Sequence, residues 1–220
     1  MPGVKQAILY SSLGRYLLMS IGLASSIITA RLLSPDEIGT FAIASSVVMV
    51  MAEFRMLGAN AYLVRQAEVT TEKIRSAYGL TILVSWGLGV ALAAASWPLA
   101  DFFGVDGLAF VFLILSVSFL LAPYISIPDA LLTRNYRFRE IATINVTSSV
   151  IQLALVVVLI KNGFSFYSLA IGQAISIFVK FVLRLYFTRD IKVYMPRFTG
   201  MKDIAKLGII VSVGHVVRKA

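Results

Sequence analysis

The sequence of 220 residues contains no cysteine and a single histidine. Without cysteine there are no disulfides or thiolate metal sites, and cysteine usage does not indicate whether the protein works in an oxidising or a reducing compartment. The chain also lacks a phosphate-binding glycine loop of the type GxxxxGKS/T, which makes ATP hydrolysis improbable. We therefore expect no metal site, no cofactor and no catalytic residue, and an enzyme is disfavoured.

Charge is also scarce. Only 14% of the residues are Asp, Glu, Lys or Arg, whereas a soluble domain has about a quarter. Hydrophobic residues make up 59% of the chain, and the mean hydropathy is +0.87. Such a composition cannot cover a globular surface with polar groups, so we expect an all-α, polytopic bundle of transmembrane helices.

Long apolar runs are abundant, and six of them reach the roughly 20 residues that a helix needs to cross a membrane. The six segments are residues 7–30, 38–57, 77–98, 107–128, 141–160 and 166–187. A seventh, from residue 204, is incomplete. Prolines 98, 123 and 128 are expected to interrupt or end the third and fourth spans.

The basic residues fall on alternate links between these segments. The links after the second, fourth and sixth spans, counted together with Arg55 and Lys206 in the adjoining span ends, contain twelve Lys or Arg residues, whereas those after the first, third and fifth contain two. Because basic residues accumulate on the cytoplasmic side, the N-terminus and the basic links should be cytoplasmic. The membrane topology therefore explains the net charge of +9, and we do not expect nucleic acid as a partner.

The first two spans are joined by the short stretch "ARLLSPDEIG" (Ala30–Gly39). Ser34 is placed to be an N-cap, Pro35 fits the first helical position, and Glu37 stands where a capping box has its acid. The stretch predicts a tight hairpin on the outer face of the membrane.

The last apolar segment, Ile204 to Val217, is too short for an ordinary span and is followed by "RKA". The sequence "SVGH" near its end resembles "SLGR" in the first span. We expect three regions: a six-helix bundle (1–187), a basic cytoplasmic linker (188–203) and the incomplete start of a second bundle (204–220).

Polar residues recur at helical spacing in four of the six spans, which is typical of helices around a water-filled cavity. They are Ser11, Arg15, Gly22, Ser26 and Thr29 in the first span; Ser46 and Glu53 in the second; Asn145, Ser149 and Gln152 in the fifth; and Gln173, Ser176, Lys180 and Arg184 in the sixth. Small and hydroxyl residues also serve helix packing, and basic side chains near a span end also snorkel to headgroups. Both interpretations stay open.

Three stretches resemble bacterial polysaccharide flippases, in the polysaccharide-transport branch of the multidrug/oligosaccharidyl-lipid/polysaccharide exporter superfamily. They are "ARLLSPDEIGTFAIA" (Ala30–Ala44), "LGANAYLVRQAEVTTEKIRSAYGLTI" (Leu57–Ile82) and "DALLTRNYRFREIATINV" (Asp129–Val146). The resemblance implies twelve to fourteen helices in two bundles around a central cavity, of which this chain would supply the N-terminal half. The implied function is ion-coupled, alternating-access movement of an undecaprenyl-pyrophosphate-linked oligosaccharide across the bacterial inner membrane, for polysaccharide or lipopolysaccharide biosynthesis.

A cationic cavity suits a pyrophosphate, because Arg and Lys supply charge-assisted hydrogen bonds. The candidate residues for the pyrophosphate and the cavity are Arg15, Lys180, Arg55, Arg184, Gln152, Gln173 and Asn145. Glu53, the one acid interpreted as lying well inside a span, is either an ion-coupling site or a structural partner of an arginine. The arginines of the fourth link, Arg134, Arg137 and Arg139, are interpreted as a lipid anchor or as lining the cytoplasmic entrance.

Two alternatives stay open. A drug/cation antiporter of the same superfamily would favour acids in the membrane, and this chain has mainly cations there. The second alternative is a truncated membrane protein that does not transport. Expected partners are the lipid-linked oligosaccharide, membrane lipids, and other polysaccharide-assembly proteins or a second copy of the chain.

Overall fold

The computed structural model describes residues 4–55, 63, 70–188 and 196. These ranges contain six helices: α1 (Val4–Leu32), α2 (Pro35–Arg55), α3 (Thr71–Phe103), α4 (Leu108–Arg134), α5 (Phe138–Lys161) and α6 (Tyr167–Phe187). No strand occurs in them. Each helix is long and apolar enough to cross a membrane, which confirms the predicted all-α, polytopic bundle. The predicted start of a second bundle and nearly all of the linker lie outside the described residues.

Several helices extend beyond the apolar runs that predicted them. α3 continues past Pro98 to Phe103, and α4 continues past Pro123 and Pro128 to Arg134, so these prolines lie inside the helices and do not end them. Neighbouring helices can satisfy backbone groups that a proline disturbs. Three residues before Pro123, the carbonyl of Leu120 on α4 accepts a hydrogen bond from the indole nitrogen of Trp86 on α3, at 3.1 Å. A membrane helix can also extend into the headgroup region, because its backbone bonds are internal.

The predicted short link between α1 and α2 has the predicted capping box. The backbone nitrogen of Ser34 donates to a carboxylate oxygen of Glu37 at 2.7 Å, and the nitrogen of Glu37 donates to the Ser34 hydroxyl at 3.3 Å. The other carboxylate oxygen of Glu37 accepts from the hydroxyl of Ser165, in the link between α5 and α6. One carboxylate therefore caps α2 and ties two links together at the same end of the bundle.

We call this end, with links 33–34, 104–107 and 162–166, the turn end, and the opposite one the basic end. Helices α1, α3 and α5 begin at the basic end, and α2, α4 and α6 finish there.

The centre of the bundle is α4, which packs extensively against α3 and α6 and also contacts α2 and α5. Phe112, Leu115 and Phe119 of α4 are fully or almost fully buried. Helix α1 packs mainly against α5, and α2 packs mainly against α4, so two helices that are consecutive in the chain have different neighbours. The outer faces of α1 and α2 stay largely exposed.

Helices α5 and α6 approach closely at Gly172. A Cβ atom added there would lie 2.4 Å from Cγ2 of Val156. We expect Gly172→Ala to lower the free energy of unfolding by about 1–3 kcal/mol, as overpacking does, and Val156→Ala in the same chain to recover part of this loss. The measurement is the thermal unfolding midpoint in detergent micelles. The matched control is Gly22→Ala, since a Cβ atom there meets nothing within 4 Å; equal midpoints for the two variants would contradict the prediction.

Candidate functional site

The predicted polar stripes of α1 and α2 lie largely on the surface of the bundle. Arg15 is exposed, as are Ser11, Gly22 and Ser26 on the same helix. On α2, Ser46 and Glu53 are exposed. These two helices therefore present polar groups to whatever covers their outer faces, while their inner faces contact the rest of the bundle.

Parts of the stripes of α5 and α6 lie instead where these two helices meet. The hydroxyl of Ser176 on α6 donates to the backbone oxygen of Ser148 on α5 at 3.4 Å, and Ser176 is buried. Asn145, Gln152 and Gln173 are half-buried. Part of this polar pattern thus serves helix packing, one of the two interpretations that the sequence left open.

The structure pairs Arg184, on α6, with the carboxylate of Asp129, on α4. Arg184 is 1% exposed, and the side chain of Asp129 is 32% exposed, so the guanidinium is inside the bundle and the carboxylate reaches its edge. The Nε atom of Arg184 has no hydrogen-bond partner. A buried arginine needs such a counter-charge, because an unpaired charge in a low-dielectric interior is costly.

Asp129 was not predicted from the sequence. The predicted fourth span ends at residue 128, which places Asp129 in a link, and Glu53 is the acid predicted to lie well inside a span. The structure places Asp129 within α4, five residues before its end, and Glu53 in the last described turn of α2. The sequence does contain one clue to this ion pair: Asp129 and Arg184 both lie about one to two helical turns from the basic end of their helices.

Lys180 lies one helical turn before Arg184 and is half-buried. Within the described ranges, neither Lys180 nor Glu53 takes part in an ion pair. Arg55, at the described end of α2, is half-buried, and its Nε atom has no hydrogen-bond partner. Asp129 therefore pairs with one of the basic residues on the polar face of α6, and Lys180 on that face has no carboxylate partner in the described part of the chain.

The three arginines after the fourth span have different surroundings. Arg134 donates to the backbone oxygen of Leu63 at 3.3 Å. Arg137 forms an ion pair with Glu140 at 3.0 Å and donates to the backbone oxygen of Phe187 at 3.0 Å. Arg139 is exposed, and its guanidinium carbon lies 5.9 Å from the ring centre of Tyr10 on α1. Two of the arginines thus join parts of the basic end, and the third faces outward.

These side chains can bind phosphate oxygens better than they can bind cations. Lys180 and Arg15 offer positive charge at a half-buried and an exposed position, respectively. Across the described part of the chain, no group of three or more His, Asp or Glu residues is placed to hold a metal ion.

The sequence pattern of a known family matches residues 28–219, described as "polysaccharide biosynthesis protein". The chain belongs to the polysaccharide biosynthesis protein family. This family match includes α2 to α6 and the end of α1, and it agrees with the resemblance seen in the sequence. Together with the six helices, it makes the chain a multi-pass membrane protein of polysaccharide biosynthesis.

A curated protein with a similar sequence is the succinoglycan biosynthesis transport protein ExoT of Rhizobium meliloti (strain 1021). The two sequences are 29% identical over 171 residues, which cover 78% of this chain and 34% of the relative. The chain thus spans about a third of the length of the relative. No solved structure matches the chain.

Proposed function

We propose that the chain forms the first transmembrane bundle of a flippase, which moves lipid-linked oligosaccharide across the bacterial inner membrane for polysaccharide or lipopolysaccharide biosynthesis. The lipid carrier in this proposal is undecaprenyl pyrophosphate. The family and the transport protein of Rhizobium meliloti support a role in the export of polysaccharide.

One observation carries the choice of substrate. Lys180 lies half-buried within a span, one turn from the Arg184–Asp129 pair, and has no carboxylate partner among the described residues. A positive charge inside a membrane helix is expensive and usually faces a cavity or a ligand. A pyrophosphate is a ligand that would neutralise it, since charge-assisted hydrogen bonds to phosphate are strong. In this proposal Lys180 and Arg15 bind the pyrophosphate and Arg55 adds positive charge, while Arg184, whose charge is balanced by Asp129, belongs to the same polar face of α6 as Lys180.

The exposed polar faces of α1 and α2 support a cavity shared with a second bundle. Arg15 on α1 and Ser46 on α2 are exposed in the bundle described, and a transporter cavity commonly lies between repeated bundles. Asn145, Gln152 and Gln173 are half-buried and would add hydrogen bonds to sugar or phosphate.

Ion-coupled alternating access is part of the proposal, with Glu53 as the coupling residue. Its carboxylate is exposed at the basic end and is in no ion pair within the described ranges, so it is accessible to a proton or a metal cation. We also propose that the chain is not an enzyme, in keeping with a transport role.

The test is a flipping assay in liposomes. The protein is expressed together with the second bundle that the proposal requires, purified and reconstituted with a fluorescent polyprenyl-pyrophosphate oligosaccharide, and dithionite is added outside to bleach the label that reaches the outer leaflet. We expect the inner-leaflet label to become bleached faster with the protein than in empty vesicles. A fluorescent phosphatidylcholine is the matched control, and its rate should not change. No acceleration by a protein that is folded and inserted, or equal acceleration of both lipids, would overturn the proposal.

A further inference from the structure

A groove of about 270 Å³ lies between α1 and α5. Its walls are Tyr10, Leu13 and Leu17 from α1, and Arg139, Thr143, Val146 and Thr147 from α5. The floor is the contact between Gly14 and Ala142, where a Cβ atom on the glycine would lie 2.7 Å from Cβ of the alanine. Because glycine lets the two helices touch at this level, the larger side chains on either side form the walls of the groove.

The chemistry of the groove changes with depth. Helices α1 and α5 both begin at the basic end, and each residue advances about 1.5 Å along its helix. Arg139 and Tyr10 are therefore nearest that end, and Leu17 and Val146 lie roughly 10 Å further in. The groove thus has a charged and aromatic mouth at the basic end, and apolar walls with the Thr143 and Thr147 hydroxyls toward the middle of the span.

Arg139 is the cation that the described residues place at this mouth. Arg134 and Arg137 are engaged by the backbone oxygens of Leu63 and Phe187, and Arg137 also by Glu140. Arg139 is exposed, and no carboxylate in the described ranges forms an ion pair with it. The ring of Tyr10 lies beside its guanidinium, within cation–π distance. This contact keeps the guanidinium at the groove and leaves N–H donors for a ligand.

We propose that the α1–α5 groove binds one anionic phospholipid of the cytoplasmic leaflet. The phosphodiester accepts hydrogen bonds from Arg139 and from the Thr143 hydroxyl, and an acyl chain lies against Leu13, Leu17 and Val146. The basic mouth matches the charge of the headgroup, and the apolar walls deeper in the groove match the acyl chain. A basic pocket between helices on the cytoplasmic side suits an anionic headgroup. The site is separate from the transport cavity proposed above and does not depend on that proposal.

The size of the groove favours a phospholipid over the oligosaccharide substrate. A volume of about 270 Å³ is below the range of roughly 300–1,000 Å³ that is usual for sites of drug-sized ligands, so it admits a headgroup and part of one chain. Among the residues described at the mouth there is one cation, Arg139, and it matches the single negative charge of a phosphodiester better than the larger charge of a pyrophosphate.

Such a lipid would stabilise the packing of α1 against α5. Helix α1 has α5 as its main packing partner, and a ligand that contacts both helices stabilises the folded state by binding it preferentially. We therefore expect the thermal unfolding midpoint to rise as phosphatidylglycerol is added to the delipidated protein in detergent, and to change little with phosphatidylcholine.

The test is native mass spectrometry of the detergent-solubilised protein titrated with phosphatidylglycerol, alongside this thermal measurement. We expect one tightly retained phosphatidylglycerol. Arg139→Gln should weaken its affinity by about tenfold to a hundredfold, the loss of a hydrogen bond to a charged group. Thr143→Val should weaken it less. The matched control is Arg31→Gln, an exposed arginine at the other end of α1, and it should bind like the wild type.

Each other outcome overturns the proposal. If a correctly folded Arg139→Gln protein retains phosphatidylglycerol as well as the wild type, or if phosphatidylcholine binds equally, the groove is not an anionic-lipid site. If soluble glycerol 3-phosphate binds as tightly as the lipid, the site recognises free phosphate esters. If a polyprenyl pyrophosphate displaces phosphatidylglycerol at lower concentration, the groove is a site for the lipid carrier.

Discussion

Asp129→Ala is expected to lower the free energy of unfolding by about 3–5 kcal/mol, the loss seen when one partner of a buried ion pair is removed. The reason is the burial of Arg184, which is 1% exposed and would keep its charge inside the bundle without the carboxylate. The measurement is reversible unfolding of the purified protein in mixed micelles with increasing sodium dodecyl sulfate, followed by circular dichroism. The matched control is Asp106→Ala, an exposed acid in the link between α3 and α4, which should change stability by less than about 0.5 kcal/mol.

A double-mutant cycle separates the ion pair from the packing of the two side chains. Arg184→Met should cost less than Asp129→Ala, because the carboxylate left behind is 32% exposed and keeps contact with water or headgroups. The double variant Asp129→Ala with Arg184→Met should be more stable than Asp129→Ala alone, since the buried charge is then gone. Strictly additive losses would show that the two charges do not stabilise each other.

Lys180→Gln is expected to slow flipping of the lipid-linked oligosaccharide by about tenfold to a hundredfold. The estimate corresponds to the loss of one charge-assisted hydrogen bond to phosphate, about 1.5–3 kcal/mol, at 1.4 kcal/mol for each factor of ten. Lys180 lies half-buried on the same face of α6 as Arg184. The measurement is the dithionite assay described above, with protein amounts matched after reconstitution. Lys161→Gln is the matched control, because this lysine is exposed at the turn end of α5.

The stability of the same variants decides how a slow rate is interpreted. Lys180→Gln should unfold at the same detergent concentration as the wild type or a higher one, because the substitution removes a charge that has no carboxylate partner in the described part of the bundle. A normal flipping rate would place the pyrophosphate elsewhere, and a slow rate with an equally slow Lys161→Gln would show a general effect of charge.

The sequence predicted the six helices and the α1–α2 cap because both depend on local patterns. Hydropathy over about 20 residues marks a span, and the spacing of Ser34, Pro35 and Glu37 marks a cap. The Arg184–Asp129 pair could not be predicted in this way. It depends on the register of α4 against α6, residues 55 apart in sequence, and on the true end of α4, which hydropathy placed too early. The sequence shows that polar residues recur along one face of α6. Which of them pack against another helix and which stay exposed depends on the position of α5, which the sequence does not reveal.

The separation of α1 from its sequence neighbour α2 has a consequence for synthesis. Gly14 of α1 meets Ala142 of α5, about 130 residues later in the chain. At a translation rate of roughly 5–20 residues per second, α1 waits about 6 to 26 seconds for this partner to emerge. During that time lipid must solvate both its apolar side and the exposed Arg15. The first helix therefore has to be stable as a single span before the bundle exists, and its late docking onto α5 is a step at which assembly in the cell can be delayed.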